Sequence, residues 1–185
     1  MTGVLADARV TAPREGLTVR EAQPGELPVL GRILVAAYSS LDGFASPEES
    51  PEYYAMLANV GAYAGRPGVT VLVAVDADEH VRGGVVWFAH LAEYGVRAGW
   101  PDLDGAGGIR FLGVSPDAQG LGLGRMLIEA CVARARAAGL AQVVLHSTEP
   151  MRAARAMYER VGFVASADLD FTPGTLHVYG YRLAL

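Results

Sequence analysis

Apolar and polar residues recur with two different periods along the chain, and these periods predict an ordered series of strands and helices. Short runs rich in branched residues predict strands at 17–22, 69–75, 81–91, 109–114, 141–147, 163–171 and 175–183. Apolar positions three or four residues apart predict helices at 26–41, 126–138 and 150–161, with a further one starting at Pro51. The pattern as a whole predicts a mixed α/β domain.

Three segments fall outside these periods. Residues 1–16 show no pattern and are predicted to form a loose arm. Residues 42–68 begin with a loop, and residues 92–108 form a long connection that leads into the strand at 109–114. Loops of that length in a compact domain usually carry function or disorder. No repeat or linker divides the chain, so a single domain over 1–185 is expected.

The most informative stretch joins the strand at 109–114 to the helix at 126–138. Between them lies a glycine-rich turn, Gln119–Arg125, and the helix ends at Gly139. Glycine lets the backbone approach a ligand closely, and the free N–H groups of a first helical turn attract anions. A strand, a glycine-rich turn and a helix in this order predict a phosphate-binding site.

The common nucleotide folds do not fit this turn. A dinucleotide fold needs G-x-G-x-x-G and an acidic residue at the tip of the next strand. Here the glycines are Gly120, Gly122 and Gly124, and the next strand ends in His146 and Ser147. A P-loop needs a lysine, and the chain contains none.

The pattern Gln119-x-x-Gly122-x-Gly124 resembles the acetyl-CoA-binding core of the GCN5-related N-acetyltransferase (GNAT) superfamily. The resemblance implies a central, mostly antiparallel sheet of six or seven strands, in which a splayed parallel pair holds the cofactor. It also implies that the turn amides bind the CoA pyrophosphate and that the preceding strand pairs with the pantetheine arm. The implied cofactor-binding residues are Leu112, Gly113, Val114, Gln119, Gly120, Leu121, Gly122, Leu123, Gly124 and Arg125.

A second segment, 149–163, is similar to the family signature N-x-x-A-x-x-L-Y-E-x-x-G-F. The resemblance implies that Tyr158 is the general acid for the leaving thiolate. A phenol with a pKa of about 10 remains protonated where a thiol with a pKa of about 8.5 ionises. Tyr158 could alternatively be a packing residue on its helix. Met151 stands where the family often has an asparagine that contacts the cofactor, so that contact must be lost or supplied by a neighbour such as Ser147 or Thr148.

The general base is harder to assign. Many family members place a glutamate on the cofactor strand, but this strand reads Ile109-Arg110-Phe111-Leu112. Glu93 is the first candidate, and solvent is an alternative. The other candidates are Asp102, Asp104, His90 and His146.

The resemblance implies transfer of an acetyl group from acetyl-CoA to a primary amine by direct attack. Phe44 and Tyr54 are candidate substrate contacts, although either could simply pack in a helix or loop. The bulky segments 42–68 and 92–108 favour a small-molecule acceptor over a protein or peptide. A non-catalytic acyl-CoA sensor is a further alternative.

Composition restricts the partners. Fifteen arginines and 20 acidic residues give a net charge of −5 without a basic run, which argues against nucleic acid and anionic membranes. The histidines lack the spacing of metal ligands, and the single cysteine, Cys131, is predicted to be a core residue. The chain lacks a signal sequence and an apolar run of about 20 residues, which predicts a cytoplasmic location. The family resemblance implies a homodimer.

Overall fold

The computed structural model describes residues 16–95, 100–101 and 103–185. Seven strands form a single sheet. The strands are β1 (Thr18–Glu21), β2 (Val69–Val75), β3 (Val81–Phe88), β4 (Ala106–Val114), β5 (Gln142–Thr148), β6 (Val164–Ala165) and β7 (Val178–Ala184). The α-helices are α1 (Leu27–Ser39), α2 (Pro51–Ala58), α3 (Leu123–Ala137) and α4 (Arg152–Val161). None of the described helices is long and apolar enough to cross a bilayer.

The strands are arranged in the order β1-β2-β3-β4-β5-β7-β6. β4 and β5 run parallel, and the other neighbouring pairs run antiparallel. The mostly antiparallel sheet that the resemblance implied is therefore confirmed, with seven strands.

The parallel pair separates part-way along its length. β4 and β5 pair from Ala106 with Gln142 to Ile109 with Leu145. Beyond that point β4 continues to Val114 beside β3, and β5 continues to Thr148 beside β7. The facing edges therefore leave a gap in the middle of the sheet, here called the β4–β5 gap.

A β-bulge accompanies this separation. Val86 of β3 faces Arg110 and Gly84 faces Gly113, so β4 carries an extra residue there. Phe111 within the bulge has a φ of 55°, and such a bulge bends and twists the strand that contains it. The irregular pairing lies opposite the stretch of β3 between Gly84 and Val86.

The two faces of the sheet bury separate sets of side chains. On one face, Leu30 and Leu34 of α1 pack with Val73 and Val86, and α2 covers the same side. On the other, α3 and α4 cover the alternate strand residues. This side is lined by Leu72, Val85, Leu127, Ile128 and Cys131. The first will be called the α1–α2 face and the second the α3–α4 face.

Several predicted boundaries were shifted. α3 begins at Leu123 instead of 126, and β4 begins at Ala106 instead of 109. The sequence assigned Gly107 and Gly108 to a loop, although both lie inside β4. A Cβ on Gly107 would lie 2.2 Å from Trp87 and one on Gly108 would lie 2.4 Å from Tyr94. These glycines therefore make room for large rings.

The predicted strand at 163–171 is wrong for most of its length. Only Val164 and Ala165 form a strand, and a 3-10 turn follows at Ala167–Leu169. Leu169 packs where a Cβ on Gly180 would lie, at 2.3 Å, and Asp170 Oδ1 accepts a hydrogen bond from Gly180 N at 2.7 Å. These contacts draw the segment across the end of β7, which begins at Val178 instead of 175. The predicted N-terminal arm, apart from Gly16, lies outside the described residues.

Candidate active site

The glycine-rich turn leaves several amides without an intrahelical partner. Gly120 and Gly122 have φ angles of 81° and 85°, which favour glycine. The first hydrogen bond into α3 runs from Met126 N to Gly122 O at 3.1 Å. The amides of Leu123, Gly124 and Arg125 therefore have no acceptor within the helix, and they lie at its positive end. This arrangement suits a pyrophosphate.

The turn is anchored to the neighbouring strand. Ser115 N donates to Arg82 O at 2.8 Å, and the Arg82 guanidinium pairs with Asp117 at 2.8 Å. The Ser115 hydroxyl donates to the other Asp117 oxygen. This hydrogen bond and the Arg82 charge lower the pKa of Asp117. The start of the turn is thereby fixed to β3.

Two buried hydroxyls border the β4–β5 gap. Ser147 and Thr148 end β5 beyond its last residue paired with β4, and they are only 2% and 6% exposed. Neither hydroxyl has a hydrogen-bond partner among the described residues. Leaving a buried polar group unpaired costs about 1–3 kcal/mol, so each calls for an explanation. A ligand in the gap would supply the missing partner, because acetyl-CoA carries amide and carbonyl groups along its length.

Tyr158 on α4 reaches the gap from the α3–α4 face. Its ring is 6% exposed and packs near Phe163 and Tyr181, at centroid distances of 6.0 and 6.2 Å. Burial raises the pKa of Tyr158, and the phenol of Tyr53 raises it further. Since Tyr53 belongs to the opposite face, the Tyr158 hydroxyl interacts electrostatically across the sheet. The gap therefore lies where side chains of the two faces interact.

Tyrosines line the α1–α2 side of the same gap. Burial raises the pKa of Tyr38 and Tyr94, and that of Tyr53 to about 12. Arg110 on β4 opposes this shift in all three, so its charge lies close to them. These phenols remain neutral at physiological pH. Their hydroxyls and the guanidinium of Arg110 make this side of the gap polar, and the region that they surround is here called the cleft.

Tyr94 and His146 form a hydrogen-bonded pair in this cleft. Tyr94 Oη lies 2.8 Å from His146 Nδ1, and His146 Nε2 lies 3.0 Å from Leu169 O. A carbonyl oxygen only accepts, so Nε2 must carry the proton and donate it. Nδ1 then accepts from the Tyr94 hydroxyl. Trp100 stacks on the imidazole at a centroid distance of 4.7 Å and fixes its plane.

The first base candidate lies elsewhere. Glu93 is exposed and pairs with Arg66 at 3.3 Å on the surface. Its neighbour Tyr94 is the residue that enters the cleft, because the 3-10 turn at Leu91–Glu93 directs consecutive side chains differently. Among the other candidates, Asp104 and His90 are exposed and Asp102 lies outside the described residues.

The substrate-contact candidates lie on the α1–α2 side. Phe44 is half-buried, with its ring 5.6 Å from Tyr38 and 5.9 Å from Tyr53. Tyr54 is 5% exposed, and its hydroxyl donates to Ala45 O at 2.9 Å. Phe44 is therefore placed near the cleft tyrosines, whereas the Tyr54 hydroxyl is already used to hold the loop.

Two further groups are explained without catalysis. Cys131 is fully buried, and burial raises the pKa of its thiol to about 12, so it remains a thiol at neutral pH. Asp76, Asp78 and His80 lie close together in the β2–β3 hairpin. Asp76 Oδ1 accepts the backbone N–H groups of both other residues, at 3.1 and 3.0 Å, which shapes the turn.

Comparison with known proteins agrees with this geometry. The profile of the acetyltransferase (GNAT) family matches residues 33–163. The chain belongs to this family.

Curated relatives match only part of the chain. The mycothiol acetyltransferase of Geodermatophilus obscurus is 47% identical over 64 residues, which cover 35% of this chain and 21% of that protein. The mycothiol acetyltransferase of Beutenbergia cavernae is 33% identical over 133 residues, covering 64% of this chain and 43% of that protein. The chain thus spans less than half the length of these curated relatives.

Solved structures of the family share the fold. A GCN5-related N-acetyltransferase from Kribbella flavida superposes with a TM-score of 0.70 at 20% identity, covering 92% of this chain and 99% of that one. A putative acetyltransferase from Salmonella typhimurium, solved with its cofactor acetyl-CoA, gives 0.61 at 19% identity, with 92% and 94% covered. At such identities the likeness is one of fold.

Proposed function

We propose that the protein transfers the acetyl group of acetyl-CoA to the primary amine of a small molecule by direct attack. The observation that carries the proposal is the β4–β5 gap, which has free amides at one end and a tyrosine-lined cleft at the other. In this proposal the gap connects the pyrophosphate site with the polar acceptor cleft.

Three groups of atoms would hold acetyl-CoA. The amides of Leu123–Arg125 would bind the pyrophosphate, and the free edge of β4 at 112–114 would pair with the pantetheine arm. The hydroxyls of Ser147 and Thr148 would hydrogen-bond to it, in place of the asparagine that Met151 replaces. The bound molecule supplies an activated acetyl group as a thioester.

Two proton movements are assigned to residues of the chain. Tyr158 would donate its phenolic proton, or a strong hydrogen bond, to the departing thiolate. An ammonium cannot attack a carbonyl carbon, so the acceptor must also lose a proton. Tyr94 Oη would take that proton while passing its own to His146 Nδ1, which becomes an imidazolium. Leu169 O would hold the imidazole ring in place through Nε2.

Tyr94→Phe is expected to lower kcat by about 100-fold, since positioned acid–base groups contribute roughly 10²–10⁴ in rate. The affinity for acetyl-CoA should change little, because the phenol acts on the acceptor. Measuring kcat and the two KM values from pH 5 to 9 checks this. His146→Gln should lower kcat to a similar extent, because it removes the group that takes the proton of Tyr94.

Tyr63→Phe is the matched control for this experiment. Tyr63 is buried on the same face, against Phe88 and Phe111, and it loses the same hydroxyl group. Its turnover should stay near the wild-type value. Equal losses in Tyr63→Phe and Tyr94→Phe, or a wild-type kcat in His146→Gln, would mean that solvent deprotonates the acceptor.

Calorimetric titration with acetyl-CoA tests the binding half of the proposal. Gly122→Ala is expected to weaken binding at least about tenfold, because a side chain at a φ of 85° strains the turn that presents the amides. Gly139→Ala is its control at the other end of α3. Gly139 also has a positive φ, of 67°, with no atom within 4 Å of an added Cβ. The Gly139→Ala variant should lose a similar amount of stability while binding acetyl-CoA with the wild-type affinity.

Release of CoA with a panel of acceptors tests the catalytic half. The panel holds small amines, amino acids, amines related to mycothiol and peptides with free N-termini. Turnover on a small amine supports the proposal, whereas turnover on peptides alone would mean that the acceptor is a peptide. Tight binding of acetyl-CoA without any turnover would indicate a sensor. The homodimer stays a prediction, to be checked by the molar mass in solution.

A further inference from the structure

Arg110 occupies the point at which β4 and β5 separate. It directly follows Ile109, the last β4 residue that pairs with β5. Its guanidinium lies on the α1–α2 face, where Nη1 donates to Tyr94 O at 2.9 Å. Its charge influences Tyr38, Tyr53 and Tyr94. Arg110 is thus part of the proposed acceptor cleft.

The charge of Arg110 is not balanced by any described carboxylate. Every other half-buried arginine of the described residues lies within 4.0 Å of a carboxylate oxygen. These arginines are Arg20, Arg82, Arg134, Arg155 and Arg182. The described contacts of Arg110 are instead a backbone carbonyl and the faces of Phe111 and Tyr94, 4.6 and 5.7 Å from the guanidinium carbon.

The remaining donors of Arg110 are open to a ligand. A guanidinium has five N–H groups, and the described hydrogen bond uses one of them. Among the described residues, the buried side-chain atoms without a partner belong to Ser147, Thr148 and Arg182. The unpaired N–H groups of Arg110 are therefore reached by solvent. An anion is the best partner for a half-buried cation with open donors. The planar guanidinium can donate two parallel hydrogen bonds to one carboxylate or phosphate.

We propose that Arg110 binds an anionic oxygen group of the acceptor, so that the substrate is an amine that also carries a carboxylate or a phosphate. This inference rests on the proposed transfer to a small amine and narrows its substrate class. Arg110 then acts as a specificity residue that holds the acceptor by its anionic end. The same positive charge disfavours an ammonium nearby and so eases its deprotonation. It also disfavours polyamine acceptors.

Binding of products to the CoA-saturated protein tests the subsite without requiring turnover. The probes are pairs that differ only in charge: N-acetylglycine and N-acetylglycinamide, N-acetylphenylalanine and its amide, N-acetylphosphoethanolamine and N-acetylethanolamine. In at least one pair the anionic member should bind about 10- to 100-fold more tightly, as charge-assisted hydrogen bonds provide. The third pair distinguishes phosphate from carboxylate. Arg110→Gln should abolish the preference, and Arg110→Lys should keep part of it.

Arg66→Gln is the control, because Arg66 also lies over an aromatic ring, that of Tyr63 at 4.6 Å, but pairs with Glu93 on the surface. It should leave every preference intact. Equal binding within all pairs, no binding of any anion, or a preference that survives Arg110→Gln would overturn the assignment. If the anions bind through Arg110 but none of the parent amines is acetylated, the proposed function fails while the subsite stands.

Discussion

Replacing Tyr158 with phenylalanine is expected to lower kcat by about 100-fold or more, with the affinity for acetyl-CoA nearly unchanged. The substitution keeps the ring, and with it the packing against Phe163 and Tyr181, and removes only the hydroxyl. The loss should therefore fall on the step in which the thiolate departs. Single-turnover kinetics and acetyl-CoA titration, measured on the same preparation, separate this step from binding.

The raised pKa of Tyr158 adds a pH criterion. Burial keeps the phenol protonated beyond its usual pKa of about 10, so its ionisation should not reduce kcat below about pH 10. Tyr181→Phe is the matched control, since Tyr181 is equally buried and its hydroxyl accepts from Arg155 Nε at 2.9 Å. A wild-type rate in Tyr158→Phe would reduce Tyr158 to a packing residue, the alternative its helical position left open.

Much of the fold follows from local patterns that the structure retains. The strands at 69–75 and 141–147 were placed within one residue because each contains a run of buried, branched apolar residues. The prediction of a strand over 163–171 was wrong because Leu169 packs against Gly180 of β7 and does not extend a strand. Such a contact between distant segments leaves no periodic signal.

The sequence predicts the part of the candidate site that depends on backbone conformation. Glycine clusters before a helix are visible in a sequence, so a turn between β4 and α3 was predicted, although its last residues, Leu123–Arg125, belong to α3. The cleft depends instead on side-chain direction. Glu93 and Tyr94 are adjacent, yet only the second points inward, and His146 joins it from β5. Arg110 could have been found by strand alternation, because it shares the face of Ala106 and Gly108.

Alkaline pH is expected to unfold the protein more sharply than is usual, starting near pH 10. Burial raises the pKa of Tyr38, Tyr94 and Tyr158, and that of Tyr53 and Cys131 to about 12. A group with a raised folded-state pKa stabilises the fold fully below its unfolded pKa, and this stabilisation is lost as the pH rises towards the folded pKa. The unfolded chain releases these protons near pH 9–10 while the folded chain retains them.

The expected slope is large relative to total stability. Each retained proton lowers the free energy of unfolding by about 1.4 kcal/mol per pH unit, so the five groups together give roughly 7 kcal/mol per unit above pH 10. A domain is typically stable by about 5–15 kcal/mol. The chain contains no lysine, and arginine remains charged throughout. The buried phenols and the thiol should therefore dominate the change.

Urea unfolding at pH 8, 9.5, 10.5 and 11, followed by circular dichroism, measures this slope. Phenolate absorbance recorded during the same titration should rise together with unfolding for the buried rings. Tyr38→Phe should reduce the slope by about 1.4 kcal/mol per pH unit, because it removes one of the five groups. A free energy of unfolding that stays constant from pH 9.5 to 11, or a variant with the wild-type slope, would mean that these phenols ionise within the intact fold and that the cleft admits water freely.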